Sequence, residues 1–263
     1  MKSLKNLDGY GGARDVQNVR LCASEKESKE KKEEVMQQNF SSDFSENRRM
    51  ARKALPAMRT MIGSHRAVVS HSNPFLVLIS TVLSQRTKDA NTDKASAALF
   101  QRFRTPKQLA SADLRSIEKL IKPSGFYKVK ARRIKRIAKI ILEKHRGQTP
   151  KSIDELIKLP GVGRKTANCV LVYGFGMAAL PVDTHVHRIS NRLSIVRTKT
   201  PEQTENWLSQ VVPKNEWLEL NDLMVKFGQQ VCKPINPLCN ICLLNKACPT
   251  GLTRMKKSRR KTE

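Results

Sequence analysis

Lys165 is the residue whose type and setting most suggest nucleophilic chemistry. It follows two closely spaced glycines in Leu159-Pro160-Gly161-Val162-Gly163-Arg164-Lys165-Thr166. Glycines in such a turn allow dihedrals closed to other residues and let backbone amides approach a ligand. The helix that follows begins with unpaired N–H groups at the positive end of its dipole, a setting for a phosphate. That dipole and Arg164 both disfavour an ammonium at Lys165, leaving more of the neutral amine that a nucleophile needs. A P-loop is excluded, because that motif needs glycine directly before Lys-Ser/Thr. Taken alone, the stretch also reads as a glycine-rich helix-helix turn with solvated basic residues.

Two further groups carry chemistry. Asp183, in Val182-Asp183-Thr184-His185, lies 18 residues after Lys165, enough chain for a helix and a turn to return to the same cleft. A carboxylate there either caps the next helix or takes part in proton transfer and the stabilisation of a sugar cation. Cys232, Cys239, Cys242 and Cys248 have the spacing C-x6-C-x2-C-x5-C within 17 residues. So local a cluster, with no export signal, reads as a metal site rather than a disulfide framework. Four thiolates accept zinc or a [4Fe-4S] cluster, and a single C-x2-C in a compact run favours the cluster. Of the remaining cysteines, Cys22 lies in a polar tail and Cys169 in an apolar helical run, where a buried structural thiol is expected.

The elements that must position these groups read as helices throughout. Asn73 and Pro74 open a helix whose apolar run reaches Leu83 and which ends near Ser84-Gln85-Arg86-Thr87. A second helix is expected around Asn91 to Arg104. The segment Lys122 to Arg146 carries ten Lys/Arg against one acid, while Ile134, Ile137, Ala138 and Ile141 repeat at helical spacing, so one face is core and the other basic. Ahead of the helix in that segment, Phe126 and Tyr127 sit in a turn bordered by lysines, placed to pack on their own domain or to slide between bases. Ser152 and Glu155 form an expected capping box on a short helix, and this helix, the glycine turn and the next helix make a helix-hairpin-helix. Thr200-Pro201-Glu202-Gln203 opens another helix, and Glu216 to Gln230 supplies one more. No strand pair or repeat is evident, so the expected fold class is all-α.

Length and charge bound the partners. At 263 residues the chain can bury a proper core without help from a metal. Its apolar runs are too short to cross a bilayer and its start lacks a secretory segment, so a soluble, intracellular protein without membrane contact is expected. Net charge is +27. Residues 1 to 46 hold 8 Lys/Arg against 9 Asp/Glu and read as a disordered tail, leaving 42 against 14 for the rest. A basic excess of that size points to nucleic acid as partner, in an enzyme or in a packing protein.

The hairpin Leu159 to Ala167, the Val182-Asp183-Thr184-His185 segment and the four-cysteine spacing together resemble the endonuclease III family of DNA glycosylases with AP-lyase activity, over about Met50 to Pro249. The resemblance implies two helical domains flanking a DNA cleft: residues 67–177 with the hairpin, and 47–66 with 178–250 holding a [4Fe-4S] cluster on Cys232, Cys239, Cys242 and Cys248, followed by a basic tail, 251–263. It also implies base excision of oxidised pyrimidines and β-elimination at the abasic site. Lys165 matches the Schiff-base lysine and Asp183 the assisting carboxylate. Gln85 matches the glutamine that fills the space left by the flipped nucleotide, and Phe126 stands where the family has an apolar wedge. Gly161, Val162, Gly163, Arg164, Thr166 and His185 match DNA-contacting positions. The expected partner is double-stranded DNA with a damaged base or abasic site, bound by a monomer, in the cytoplasm of a prokaryote or the nucleus of a eukaryote. A lysine at 165, and no acid in Leu83-Ser84-Gln85, set the chain apart from the adenine and thymine-mismatch branches. A non-catalytic hairpin module, a mismatch-specific glycosylase and a redox protein centred on the cysteines are the competing readings.

Overall fold

The computed structural model describes residues 44–63 and 73–259, and these contain helices, turns and no strand. The tail expected to be disordered, with Cys22, lies outside the described residues up to position 43. The chain divides into Met1–Glu46, described only at 44–46 where a helix opens, and Asn47–Glu263. Among the described residues twelve α-helices follow in order: α1 (residues 44–62), α2 (Pro74–Ser84), α3 (Asp89–Arg102), α4 (Pro106–Ser111), α5 (Leu114–Leu120), α6 (Tyr127–His145), α7 (Ile153–Leu156), α8 (Arg164–Cys169), α9 (Thr184–Arg192), α10 (Pro201–Val211), α11 (Trp217–Gln230) and α12 (Pro249–Arg259).

α2 is the centre of the first half of this unit because it is apolar on nearly every side. Asn73 accepts a hydrogen bond from the Phe75 N–H and Pro74 occupies the first turn, as expected of that start. Its Phe75, Leu78, Ile79, Val82 and Leu83 are buried, and it packs on α3, α6 and α8. α6 presents Ile134, Ile137, Ala138 and Ile141 to the same core, all with no exposed surface, and leaves its basic face outside. Arg146 and Gly147, both at positive φ, end it.

The second half packs α9 against α10 and α11, with Val186, Ile189, Leu208, Met224 and Phe227 buried. α1 is tied to these helices where Arg48 donates to the Gln210 carbonyl and Arg59 pairs with Glu219 at 2.6 Å.

Four details differ from the sequence reading. The second helix runs Asp89–Arg102, two residues earlier than expected. α7 is a single turn and Ser152 makes no side-chain cap, so the expected box with Glu155 does not form; a four-residue helix closes through the backbone bond from Leu156 to Ser152. α8 passes directly into a π-helical turn, Val170–Gly174. The basic C-terminal tail is helical as far as Arg259.

Candidate active site and cysteine cavity

The hairpin between α7 and α8 is held by Gly161, whose φ of +74° only glycine adopts without strain. The end of the Arg133 side chain from α6 lies so close over it that a Cβ would force that side chain to shift. Gly163 behaves otherwise: its backbone is extended, at φ −90° and ψ 177°, and nothing stands near where a Cβ would be. The expectation that both glycines serve unusual dihedrals therefore holds for Gly161 alone. Gly163 offers open space at the N-cap of α8, where N–H groups lack helical partners. Val162 and Thr166 are buried, and they anchor the turn rather than line its surface.

Lys165 is exposed in the first turn of α8. Arg164, beside it, pairs with Glu205 at 3.0 Å, so its charge is already compensated. One turn further on, Cys169 is buried and its thiol is pushed up by that burial. Lys165 opposes this by charge and a hydrogen bond, while Asp183 and Asp222 add to it. Lys165 and Asp183 thus act on one buried thiol, which the return of the chain makes possible. Asn168 donates to the Leu180 carbonyl at 3.0 Å and Asn221 to that of Pro181, fixing the segment that delivers Asp183. Beneath, the Tyr173 hydroxyl donates to Asp222 at 3.1 Å, and burial together with that carboxylate raises its pKa.

Asp183 is the N-cap of α9. Its Oδ1 accepts from the N–H groups of His185 and Val186, at 2.8 and 2.9 Å. The cap reading and the cleft reading are compatible, since both capping bonds use one oxygen. His185 lies half-buried against Gly228 of α11, with Arg188 beside its Nδ1 at 3.1 Å.

Gln85, just beyond α2, donates to the Gly161 carbonyl at 2.9 Å and accepts from Arg133 at 3.1 Å. Phe126 caps α6 at a left-handed φ of 58° with 64% of its surface exposed. Gln85 is thereby tied to the hairpin.

The four cysteines line one cavity together with Arg192, Leu193, Phe227 and Val231. Burial pushes the Cys242 and Cys248 thiols up, and the neighbouring cysteines push them further. Among the described residues no group of His, Cys, Asp or Glu is arranged to hold a single metal ion. Two arginines of α9 fasten the loop: Arg188 donates to the Cys232 carbonyl at 3.0 Å, and Arg192 to those of Lys233 and Pro234 at 2.7 and 2.8 Å. Arg133, Arg188, Arg192, Asn168 and Asn221 were all missed by sequence reasoning, because a helical arginine or asparagine gives no sign of the carbonyl it will meet.

The profile of the HhH-GPD superfamily of base excision DNA repair proteins matches residues 79–214. Endonuclease III of Thermotoga maritima is 56% identical over 177 residues, covering 67% of this chain and 83% of that protein. The chain belongs to the endonuclease III family. Endonuclease III of Bacillus subtilis is 40% identical, over 71% of this chain and 86% of its own length. Among solved structures, a trapped endonuclease III–DNA covalent intermediate is similar at a TM-score of 0.73 and 38% identity, covering 79% of this chain and 98% of that one. Endonuclease III proteins are DNA glycosylases with AP-lyase activity acting in base excision repair, and the all-α fold of this chain is theirs.

Proposed function

We propose that the chain removes oxidised pyrimidines from double-stranded DNA as a monomer and cleaves the strand through a Schiff base on Lys165. The observation that carries this reading is an exposed Lys165 in the first turn of α8 and a capping Asp183 at the start of α9, both near enough to Cys169 to act on its thiol. The Nζ of the neutral amine attacks C1′ of the flipped nucleotide. The C1′–N bond breaks, and the base leaves with its electron pair and gains a proton. The carboxylate of Asp183 takes the proton from the attacking amine and stabilises positive charge on the sugar. Ring opening yields the imine, loss of a C2′ proton expels the 3′ phosphate, and water then frees Lys165. The DNA path runs past the hairpin that carries Lys165 and the cap of α9 that carries Asp183. Open space at Gly163 admits one backbone phosphate, and the basic face of α6 supplies further contacts.

Cys232, Cys239, Cys242 and Cys248 would hold a [4Fe-4S] cluster. Four half-buried thiols round an apolar-walled cavity repel one another as thiolates, and a cationic iron core relieves that repulsion. When bound, the cluster ties four points of the loop together and stiffens a basic surface.

Borohydride trapping tests the nucleophile. A covalent protein–DNA adduct is expected with the unaltered protein and none with Lys165→Ala; no adduct from the unaltered protein would leave a non-catalytic hairpin module as the better reading. Equal iron and acid-labile sulfide in the purified protein test the cluster, and stoichiometric zinc instead would refute it.

A further inference from the structure

Lys130 is buried, with 3% of its surface exposed, on a helix whose other lysines mostly face solvent. Its backbone N–H bonds to the Phe126 carbonyl at 3.1 Å, so it belongs to the turn that presents Phe126. Its ammonium reaches across to the other loop. Nζ shares its three N–H groups among four acceptors: the carbonyls of Leu83 and Gln85 at 2.7 and 2.6 Å, Thr87 Oγ1 at 2.8 Å and Ser124 Oγ at 2.9 Å. Ser124 in turn donates to the Leu83 carbonyl at 2.9 Å, and the Gly125 N–H donates to Thr87 at 3.1 Å. The loops are pressed close enough that a Cβ on Gly125 would lie 3.0 Å from the Arg86 carbonyl oxygen. Arg86 and Phe126, one in each loop, both hold left-handed φ values of 52° and 58°. Two strained, non-glycine turns thus share one buried cation.

We infer that Lys130 is a positioning residue that locks the Gln85 loop to the Phe126 loop, so that the glutamine and the aromatic ring enter the duplex as one rigid unit. This rests on the reading above, in which Gln85 fills the vacated space and Phe126 wedges the strand. A charged donor is stronger than a neutral one, and an ammonium shared among two carbonyls and a hydroxyl of the opposite segment leaves it little freedom to move alone. Burial pulls the Lys130 pKa down to about 8, with Arg133 contributing, which fits an ammonium held by neutral acceptors rather than by a carboxylate. Rigid placement matters here because base extrusion is unfavourable, and insertion offsets that cost only if both groups arrive in register.

A double-mutant cycle is the test, read as single-turnover excision of an oxidised pyrimidine from duplex DNA. In the protein with Lys130 intact, Gln85→Ala and Phe126→Ala together should lose at least about fivefold less than the product of their separate losses, since groups acting as a unit are not additive. In Lys130→Met the two losses should multiply, while strand cleavage at a preformed abasic site, which needs no base extrusion, falls much less than excision. Lys130→Arg should restore part of the coupling. Because Lys130→Met strands buried carbonyls, Ser124→Ala serves as a milder variant, removing the Phe126-side partner of the ammonium, and should weaken the coupling in the same direction. Additive losses with Lys130 intact, or full coupling retained in both Lys130→Met and Ser124→Ala, would overturn the inference. Full activity of both Gln85→Ala and Phe126→Ala would overturn the insertion reading itself and the inference with it.

Discussion

A methyl group on residue 161 would sit on a backbone held at φ +74° and push the end of the Arg133 side chain aside, so Gly161→Ala is strained in its backbone and displaces Arg133. A loss of ~1–3 kcal/mol in stability is expected, with loss of DNA affinity, because Arg133 also holds Gln85. Gly163→Ala meets open space and ordinary dihedrals; its thermal midpoint should barely move while affinity for duplex falls. Melting curves and fluorescence anisotropy on the two variants separate the roles. Lys130 makes the pH prediction. Its native pKa of about 8 lies below the ordinary lysine value of 10.5, so between those values the unfolded chain keeps the proton and the native chain does not. Stability from this group therefore rises as pH climbs through that window. Facing groups are Arg133 and the neutral acceptors of Leu83, Gln85, Thr87 and Ser124, so nothing else in contact should mask the effect. Urea midpoints of the protein and of Lys130→Met should differ more at pH 10 than at pH 7.

Helices α9 and α11 approach closely because Gly228 has no side chain. A Cβ there would run into His185 and lie 3.0 Å from Arg188 Nη2. Gly228→Ala should cost ~1–3 kcal/mol by overpacking. It should also loosen the cysteine loop, since Arg188 bonds the carbonyls of Gly228 and Cys232 from that interface. Faster loss of iron to a chelator, measured beside the melting temperature, checks the second effect. Helix α6 acts at the same scale. Its buried isoleucines fix it on α2, and that fixed axis lets Lys130 and Arg133 reach the Gln85 loop and the hairpin.

Charge is the property of the molecule as a whole. With 42 Lys/Arg against 14 Asp/Glu beyond residue 46, binding to undamaged duplex should fall at least about tenfold between low and moderate salt, as released counterions require. Affinity that does not change with salt would contradict a phosphate-tracking surface. Among the described residues no helix is long and apolar enough to cross a membrane.

Residue types and local spacing were enough for the helical class, the hairpin, the start of α2 at Asn73 and Pro74, the buried stripe of α6 and the cysteine grouping. These follow from periodicity and turn chemistry, which act over a few residues. What they could not decide is which distant carbonyl a polar side chain would find. Arg164 looked like a charge beside Lys165 and instead pairs with Glu205, 41 residues away. Lys130 looked like one more lysine on a basic face and is buried between two loops. Ser152 had the letters of a capping box but only one turn of helix to cap. Tertiary packing made those choices, because the free energy of a buried polar group depends on partners brought from far along the chain.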